Sequence, residues 1–341
     1  MQKKRVTLAD VARLAGLSTT AASMILTGRP DTRLSADAHA KVHAAAASLG
    51  YRPNAAARAL RTDKSRTIAF ISDYVATTRF ASGLIRGALA AAEDAKHVML
   101  VLETGGEPER EIEAVEAALD RQVDGLIFAA MRAREVFVPD LSVNLPVVML
   151  NGTSARFPAS VLPDEYEGGR TAVRLLAGTG VRSNIVLLGH NPEDERGLFR
   201  SESISRRLAG IRDEMLAQGL RFDLELSTWN WEPTHGYDLV QAVLGRHKPH
   251  AILCLNDRLA FGAYQALSEA GLAIPGDVSL VSFDNDELAS YLRPGLTTIG
   301  LPHEAMGRRA VEVLLGRQSP GEALVEMPAV IRGSLSSHNK L

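Results

Sequence analysis

Residues 6–18 read VTLADVARLAGLS, and this stretch has the pattern of a short capped helix followed by a tight turn. Thr7 and Asp10 have the spacing of a capping box, in which two side chains satisfy free N–H groups of the first turn. Apolar residues then recur at helical spacing. Ala12 and Gly16 supply the small residue and the turn glycine that a helix-turn-helix needs. We therefore expect the chain to begin with this motif.

Two further helices are predicted before residue 50. Ser18 can cap the second helix, and Ser35 can cap a third helix that ends at Gly50. The second helix turns its apolar side chains inward. Its outward side chains are then Thr19, Thr20, Ser23 and Met24. Because the first residues of such a helix can meet base edges in the major groove, we expect the second helix to read DNA.

Charge is distributed unevenly along the chain, although the formal net charge of its 341 residues is only −2. Residues 1–66 carry 12 Lys and Arg against 4 Asp and Glu, whereas the remainder carries 26 against 36. A basic segment joined to an acidic remainder is typical of a protein that binds a polyanion at one end. A solvated basic tail is the alternative that this distribution leaves open.

A short alanine-rich segment follows the third helix, between Tyr51 and Arg61. It is too short to hold a helix in isolation. Leu60 has few apolar neighbours nearby in the sequence, and arginines precede and follow it. Two interpretations stay open: an ordinary linker, or a helix that inserts Leu60 into the minor groove between phosphate-binding arginines.

Residues 6–18 and 50–60 (GYRPNAAARAL) resemble the lactose-repressor (LacI) family. The resemblance extends over almost the whole chain and implies a headpiece at 1–52 with a hinge helix and linker at 53–65. In that family the second helix reads the operator, and a hinge leucine, here Leu60, enters the centre of a palindrome. Residues 21–24 (AASM) depart from the usual Thr-Val-Ser-Arg, so the operator sequence of relatives does not carry over.

The DNA-binding residues expected from the pattern and the resemblance are distributed over the headpiece and the hinge. They are Thr7, Ser18, Thr19, Thr20, Ser23, Met24, Arg33, Ser35, Tyr51, Asn54, Ala57, Leu60 and Arg61. The expected partner is double-stranded DNA with a palindromic operator. Because no leucine heptad follows residue 334, we expect a two-fold homodimer rather than a coiled-coil tetramer.

Beyond Arg66, apolar runs alternate with amphipathic stretches, as expected for buried parallel strands separated by helices. The predicted strands cover 68–71, 98–102, 125–128, 147–150, 185–188, 251–255 and 280–283. This alternation predicts a doubly wound α/β structure, and its length predicts two subdomains with a cleft. The resemblance implies a periplasmic-binding-protein-like sensor of two parallel-sheet subdomains, one formed by 66–163 and 300–328 and the other by 164–299 and 329–338.

Several chemistries lack their motifs in this chain. It has no Gly-rich dinucleotide motif after the first strand, no Walker A motif, no His-Glu-x-x-His and no Gly-x-Ser-x-Gly. Its lone cysteine, Cys254, lies in an apolar run, where a thiol is a poor nucleophile. We therefore expect no catalytic residue, no metal and no cofactor. No apolar run is long enough to span a membrane and no signal core is present, so we expect a cytoplasmic protein.

Polar residues follow several predicted strands, at the end where doubly wound folds bind ligands. Asp73, Asn256 and Asp284 each follow a strand. Arg207 opens an amphipathic stretch, and Trp231 stands in a loop. Carboxylates, a guanidinium and an indole suit a sugar, because the charged groups pair with hydroxyls and the ring packs against C–H faces.

The family resemblance implies effector contacts within 205–210, 256–262 and 282–284. The expected effector-binding residues are Asp73, Phe80, Arg207, Trp231, Asn256 and Asp284. Residues 77–80 (TTRF) replace the Asn-Pro-Phe-Phe common in relatives, so the effector, expected to be a carbohydrate, is not identified. Structural roles stay open as alternatives: Asp257 suits a helix N-cap as well as a ligand contact.

The leading hypothesis is a repressor whose operator affinity is controlled by ligand. Ligand closure of the cleft would change the dimer geometry and thereby stabilise or melt the hinge helices. Two rivals share parts of the sequence pattern. A solute-capture receptor for transport needs a secretion signal and no basic headpiece, and a sugar-modifying enzyme would act through dispersed acids.

Overall fold

The structure is a computed structural model that describes residues 6–27, 34–52, 64–78, 81–131, 135–141, 143–192 and 201–336. The chain divides into two compact units, residues 1–66 and residues 67–341. From here on we refer to the first unit, which also includes the expected hinge and linker at 53–65, as the headpiece, and to the second unit as the sensor.

The described part of the headpiece contains the helices α1 (Leu8–Ala15), α2 (Thr19–Leu26) and α3 (Ala36–Leu49). Each helix begins where the sequence predicts, because a hydroxyl side chain accepts a hydrogen bond from an N–H of the first turn. α1 ends at Gly16, which has a left-handed φ of 67°. The Leu17 N–H then donates to the Ala12 carbonyl (3.0 Å). This turn brings α2 into contact with α1, which confirms the predicted motif.

The headpiece core consists mostly of small and β-branched side chains. Val11, Ala22 and Val42 are completely buried, and each comes from a different helix. Small side chains let three short helices approach one another closely, so the core forms from a single face of each helix. The opposite face of α2 is left at the surface.

Two six-stranded sheets form the centre of the sensor. The first contains β1 (Thr67–Ser72), β2 (Val98–Glu103), β3 (Leu126–Ala129), β4 (Val147–Leu150), β5 (Ser160–Pro163) and β11 (Glu322–Val325), in the order β11-β5-β4-β3-β1-β2. The second contains β6 (Ile185–Leu188), β7 (Leu224–Leu226), β8 (Ala251–Cys254), β9 (Ser279–Asp284), β10 (Thr297–Gly300) and β12 (Ala329–Val330), in the order β12-β10-β9-β8-β6-β7. Among the described strands every pair is parallel except β10 with β12.

Helices cover the faces of both sheets and pack on one another in pairs. They are α4 (Ser82–Asp94), α5 (Pro108–Asp120), α6 (Glu165–Gly178), α7 (Glu202–Ala217), α8 (Pro233–Leu244), α9 (Asp257–Glu269), α10 (Glu287–Tyr291) and α11 (His303–Leu314). The pairs are α4 with α11, α6 with α7, and α8 with α9. The sensor therefore has the doubly wound α/β architecture that the alternating apolar runs predict.

The chain passes from the first sheet to the second directly after β5 and returns directly after β10. Glu165 opens α6 just beyond the end of β5, and α6 packs against β9 and β10. His303 opens α11 just beyond the end of β10, and α11 packs against β4 and β5. The chain crosses a third time, from β11 to β12. Because all three crossings leave the carboxyl ends of strands, these ends of the two sheets lie next to each other.

Two glycines set the distance between α6 and α7. A Cβ atom on Gly210 would lie 1.9 Å from the Tyr166 carbonyl oxygen, and one on Gly169 would lie 2.3 Å from the Arg207 carbonyl oxygen. Only residues without a side chain permit this approach of two helix backbones. The contact holds the first turns of α6 beside the middle of α7.

Several details of the sensor differ from the sequence prediction. The strands β5, β7, β10, β11 and β12 were not predicted. The predicted buried strand at 98–102 is an edge strand, β2, in which Val98 is 62% exposed, because no further strand of the described sheet covers that side. The strand predicted at 125–128 begins and ends one residue later, as β3. Among the described helices, none combines the length and the apolar character that a membrane crossing requires.

Candidate functional site

The first residues of α2 are presented to solvent. Thr19 and Thr20 are exposed, whereas Ser23 and Met24, one turn later, are half-buried. The first turn of a helix has free N–H groups and the positive end of the helix dipole, which favour a phosphate nearby. The surface of α2 thus has the form that a DNA-reading helix requires, with its amino end open.

Three of the predicted DNA-binding hydroxyls cap helices in this structure. Thr7 forms both hydrogen bonds of its capping box. The Ser18 Oγ accepts a hydrogen bond from the Ala21 N–H (3.1 Å). The Ser35 Oγ accepts one from the Ala38 N–H (3.2 Å). Their hydroxyls therefore have a structural role, and their contacts with phosphate stay predictions.

Six of the predicted site residues lie outside the described residues: Arg33, Asn54, Ala57, Leu60, Arg61 and Phe80. Tyr51 is described and follows α3. Its N–H donates to the Ala46 carbonyl (2.9 Å), and its half-buried side chain packs against the headpiece core. Tyr51 therefore fixes the end of α3, and its contact with DNA stays a prediction.

Replacing Ser18 by alanine removes the N-cap of α2. We expect the opening free energy of α2 to fall by about 1 kcal/mol, because the Ala21 N–H loses its acceptor. Hydrogen exchange of the α2 amides in the full chain measures this change. Thr20→Ala removes an exposed hydroxyl from the same helix and should leave exchange unchanged. Equal protection of α2 in the two variants would contradict the capping role.

Two of the predicted effector residues are fixed to each other at the carboxyl ends of β6 and β8. The Asn256 Oδ1 accepts a hydrogen bond from the Leu259 N–H (2.8 Å), so this residue caps α9. The Asn256 Nδ2 donates to the Trp231 carbonyl (3.3 Å). The Trp231 Nε1 in turn donates to the Gly189 carbonyl (2.9 Å) directly after β6. The half-buried indole is therefore anchored at this edge of the sheet.

Arg207 lies in the middle of α7 rather than at the start of an amphipathic stretch, since the helix begins at Glu202. Its Nε and Nη2 donate to the two carboxylate oxygens of Glu165, at 2.6 and 2.8 Å. Its Nη1 donates to the Leu255 carbonyl (2.7 Å). The guanidinium carbon lies 4.3 Å from the centre of the Phe283 ring. This buried, bidentate pair ties α6 and α7 to the end of β8.

Asp284 ends β9 with an unusual backbone conformation. Its φ of 109° is rare for a residue with a side chain, and such positions cluster at binding sites. Burial raises the pKa of Asp284 well above its usual value, although the Arg207 guanidinium favours the charged carboxylate. A buried carboxyl group at the end of a parallel strand can donate as well as accept hydrogen bonds when it holds a proton, which suits a ligand with hydroxyl groups.

Asp257 does not cap α9, so this alternative was wrong. Asn256 occupies the N-cap position, and Asp257 is the first residue inside the helix. One carboxylate oxygen of Asp257 accepts a hydrogen bond from the Ser282 hydroxyl, and the other accepts one from the Asp286 N–H (2.8 Å). Asp257 is completely buried and therefore joins α9 to β9 and to the loop after it.

The titration of Asp257 gives the sensor a measurable pH dependence. Burial raises the pKa of Asp257 to about 6, although hydrogen bonds from the Ser282 side chain and the Asp286 backbone favour the charged form. Because the folded state then binds the proton more tightly than the unfolded state, the stability contributed by protonated Asp257 is lost as pH rises from about 4 through about 6.

Asp257→Asn removes this titration. Its Oδ1 can still accept from the Asp286 N–H, and its Nδ2 can donate to the Ser282 hydroxyl, which reverses that hydrogen bond. Between pH 4 and pH 7 the wild type loses the stability that protonated Asp257 contributes, and the variant does not. The unfolding free energy of the variant minus that of the wild type should therefore increase by on the order of 2 kcal/mol over this range, since one pKa unit corresponds to about 1.4 kcal/mol. Urea unfolding of both proteins across this range measures the difference. A difference that stays constant with pH would contradict the raised pKa.

Asp73 lies apart from this group, after β1 in the first sheet. Its Oδ1 accepts hydrogen bonds from the Tyr74 N–H (2.7 Å) and the Met131 N–H (2.8 Å). The structure places four predicted effector residues at the edge of the second sheet: Arg207, Trp231, Asn256 and Asp284. Asp73 is at the corresponding edge of the first sheet.

Glu165 belongs to the site but was not predicted from the sequence. Its buried carboxylate lies in the first turn of α6 and accepts hydrogen bonds from the Nε and Nη2 of Arg207. One signal could have found it, because Glu165 follows β5 by two residues, much as Asp73 directly follows β1 and Asp284 ends β9. Acidic residues just beyond parallel strands are candidates for this edge of the fold.

The chain matches known proteins in both of its units. Residues 7–54 match the bacterial regulatory proteins of the lacI family, and residues 173–335 match a periplasmic binding protein-like domain. The chain is 30% identical to the HTH-type transcriptional repressor PurR of Vibrio campbellii, over 91% of both chains. It is also 30% identical to the ribose operon repressor of Escherichia coli K12, over 91% of this chain and 92% of that protein.

A solved structure matches the chain over both units. The lac repressor dimer bound to operator and the anti-inducer ONPF is 28% identical and matches with a TM-score of 0.77, over 98% of this chain and 100% of that chain. A helix-turn-helix headpiece with a periplasmic-binding-protein-like sensor defines a ligand-responsive transcriptional regulator. The chain belongs to the lacI family of bacterial regulatory proteins and is a transcriptional regulator rather than an enzyme.

Proposed function

We propose that this chain is a cytoplasmic repressor that binds a palindromic operator as a homodimer and changes its operator affinity when a small sugar occupies the sensor cleft. One observation carries the proposal: Arg207, Trp231, Asn256 and Asp284 lie at the carboxyl ends of neighbouring strands. Open α/β folds bind ligands at this edge, and a few fixed polar groups beside an aromatic ring are typical of a binding site.

The DNA half of the proposal is supported by the exposed start of α2 and the positive charge of the headpiece. Thr19 and Thr20 are the side chains best placed to meet bases. A dimer would present two copies of α2, which suits a palindrome. The matched lac repressor structure is a dimer bound to operator. The hinge at 53–65, with Leu60 in the minor groove, completes the proposed contact.

The ligand half is supported by the chemistry at the two facing edges. Asp284 and Asp73 supply acceptors for sugar hydroxyls, Trp231 supplies an apolar ring, and Phe80 adds a second ring by family resemblance. Asp73 belongs to the proposed subdomain at 66–163 and 300–328, and Asp284 to the one at 164–299 and 329–338. A ligand that contacts both Asp73 and Asp284 would favour closure of the cleft between the two subdomains. This closure would change the conformation of the hinge.

Selection of genomic fragments on the purified full chain tests this function. Fluorescence anisotropy with an enriched fragment then measures operator affinity with and without neutral monosaccharides, D-ribose first, because one relative is a ribose operon repressor. We expect one sugar to change the affinity by about tenfold or more. Failure to enrich any fragment contradicts the DNA half, and an affinity that no neutral sugar changes contradicts the ligand half.

A further inference from the structure

The donors of the Arg207 guanidinium are already engaged inside the protein. Its Nε and Nη2 form the fork that matches a carboxylate or a phosphate, and Glu165 occupies both of these positions. Its Nη1 donates to the Leu255 carbonyl. The side chains of Arg207 and Glu165 are only 3% and 2% exposed. The fork therefore cannot bind a ligand anion in the geometry of this structure.

The groups around Arg207 carry an excess of negative charge. Besides Glu165, the carboxylates of Asp257 and Asp284 interact electrostatically with the guanidinium. Glu165 alone balances the charge of Arg207. Even when Asp284 holds a proton, ionised Asp257 leaves the group negative at neutral pH. A phosphate or carboxylate entering this edge of the cleft would meet repulsion rather than a free cation.

A ligand anion also cannot displace Glu165 without a large penalty. The close approach of α6 and α7 at Gly169 and Gly210 fixes the backbones that carry Glu165 and Arg207. If a ligand took the fork, the Glu165 carboxylate would remain buried without its partner. The pair is therefore a fixed part of the site rather than a gate that a ligand can open.

We propose that Glu165 is a specificity-determining residue that closes this site to anionic ligands and restricts it to uncharged ones, such as free sugars rather than sugar phosphates or sugar acids. This inference rests on the proposed function, because it names the class of ligand for the same cleft. Glu165 acts through Arg207, and a ligand need not touch it.

Inorganic phosphate tests this inference without knowledge of the effector. Both tryptophans of the chain, Trp229 and Trp231, follow β7, and Trp231 contacts Asn256, which is next to Leu255. Intrinsic fluorescence therefore reports on the sensor edge rather than on the headpiece. Phosphate is titrated at constant ionic strength into the wild-type full chain and into two variants. Glu165→Gln removes the negative charge and one of the two acceptors from the fork, and Glu165→Asp keeps the charge.

We expect saturable binding in Glu165→Gln that is about tenfold or more stronger than in the wild type and in Glu165→Asp. Equal binding in all three proteins, or none in a folded Glu165→Gln protein, overturns the inference. Should Glu165→Gln not fold, the wild type decides alone: a saturable fluorescence response to phosphate contradicts the inference, and its absence supports it.

Sugar binding provides the second arm of the test. Wild-type protein should respond to D-ribose or another neutral monosaccharide and not to the corresponding sugar phosphate. A wild-type protein that binds both with similar affinity overturns the inference. If no neutral sugar changes operator affinity, the proposed function fails, while the phosphate titration still decides the role of Glu165.

Discussion

Replacing Arg207 by methionine should lower the unfolding free energy of the sensor by about 3–5 kcal/mol, because the change leaves the Glu165 carboxylate buried without its partner. Methionine can fill much of the space of the arginine stem, so the loss reports mainly on the charge and its hydrogen bonds. Urea denaturation followed by circular dichroism measures the effect.

The neighbouring arginine is a matched control for this prediction. Arg206 also forms a bidentate pair, with Glu322 at 3.0 and 2.9 Å, but the two side chains are 28% and 42% exposed. Solvent screens such a pair, so Arg206→Met should cost at most about 1 kcal/mol. Adding Glu165→Gln to Arg207→Met should restore part of the lost stability, because no unpaired charge is then buried. Similar losses for Arg206→Met and Arg207→Met would contradict this account.

The headpiece could be predicted from the sequence because its signals are local. Thr7, Ser18 and Ser35 each bind a backbone N–H three residues later, so a short window of sequence contains both partners. Gly16 ends α1 within the same window. Seven of the twelve described strands of the sensor were predicted from apolar runs. The exposure of Val98 was not, because it depends on the order of strands in the sheet.

The site could be predicted only in part, for a related reason. Asn256 and Asp284 adjoin apolar strands, and topology alone brings such residues to one edge of a sheet. The partner of Arg207 could not be found in this way, since Glu165 is 42 positions away in the sequence. Their pairing depends on how closely α6 and α7 approach. This distance is set where Gly169 lies against the Arg207 backbone and Gly210 lies against the Tyr166 backbone.

Replacing Gly210 by alanine should therefore destabilise the sensor by about 3 kcal/mol or more, at the upper end of the cost of overpacking a core. The added methyl would lie 1.9 Å from the Tyr166 carbonyl oxygen, a backbone atom that cannot rotate away. The helices must then separate, which also weakens the Arg207–Glu165 pair. Gly178→Ala is the matched control.

Gly178 is the last residue of α6, and a Cβ atom there would meet no atom within 4 Å. Alanine at this position should leave stability unchanged or raise it by up to about 1 kcal/mol, because it restricts the unfolded chain. Urea denaturation of both variants measures the contrast. If Gly210→Ala were as stable as Gly178→Ala, the space between α6 and α7 would accommodate a methyl group. The contact between the two helix backbones would then not be the cause of the Arg207–Glu165 pairing.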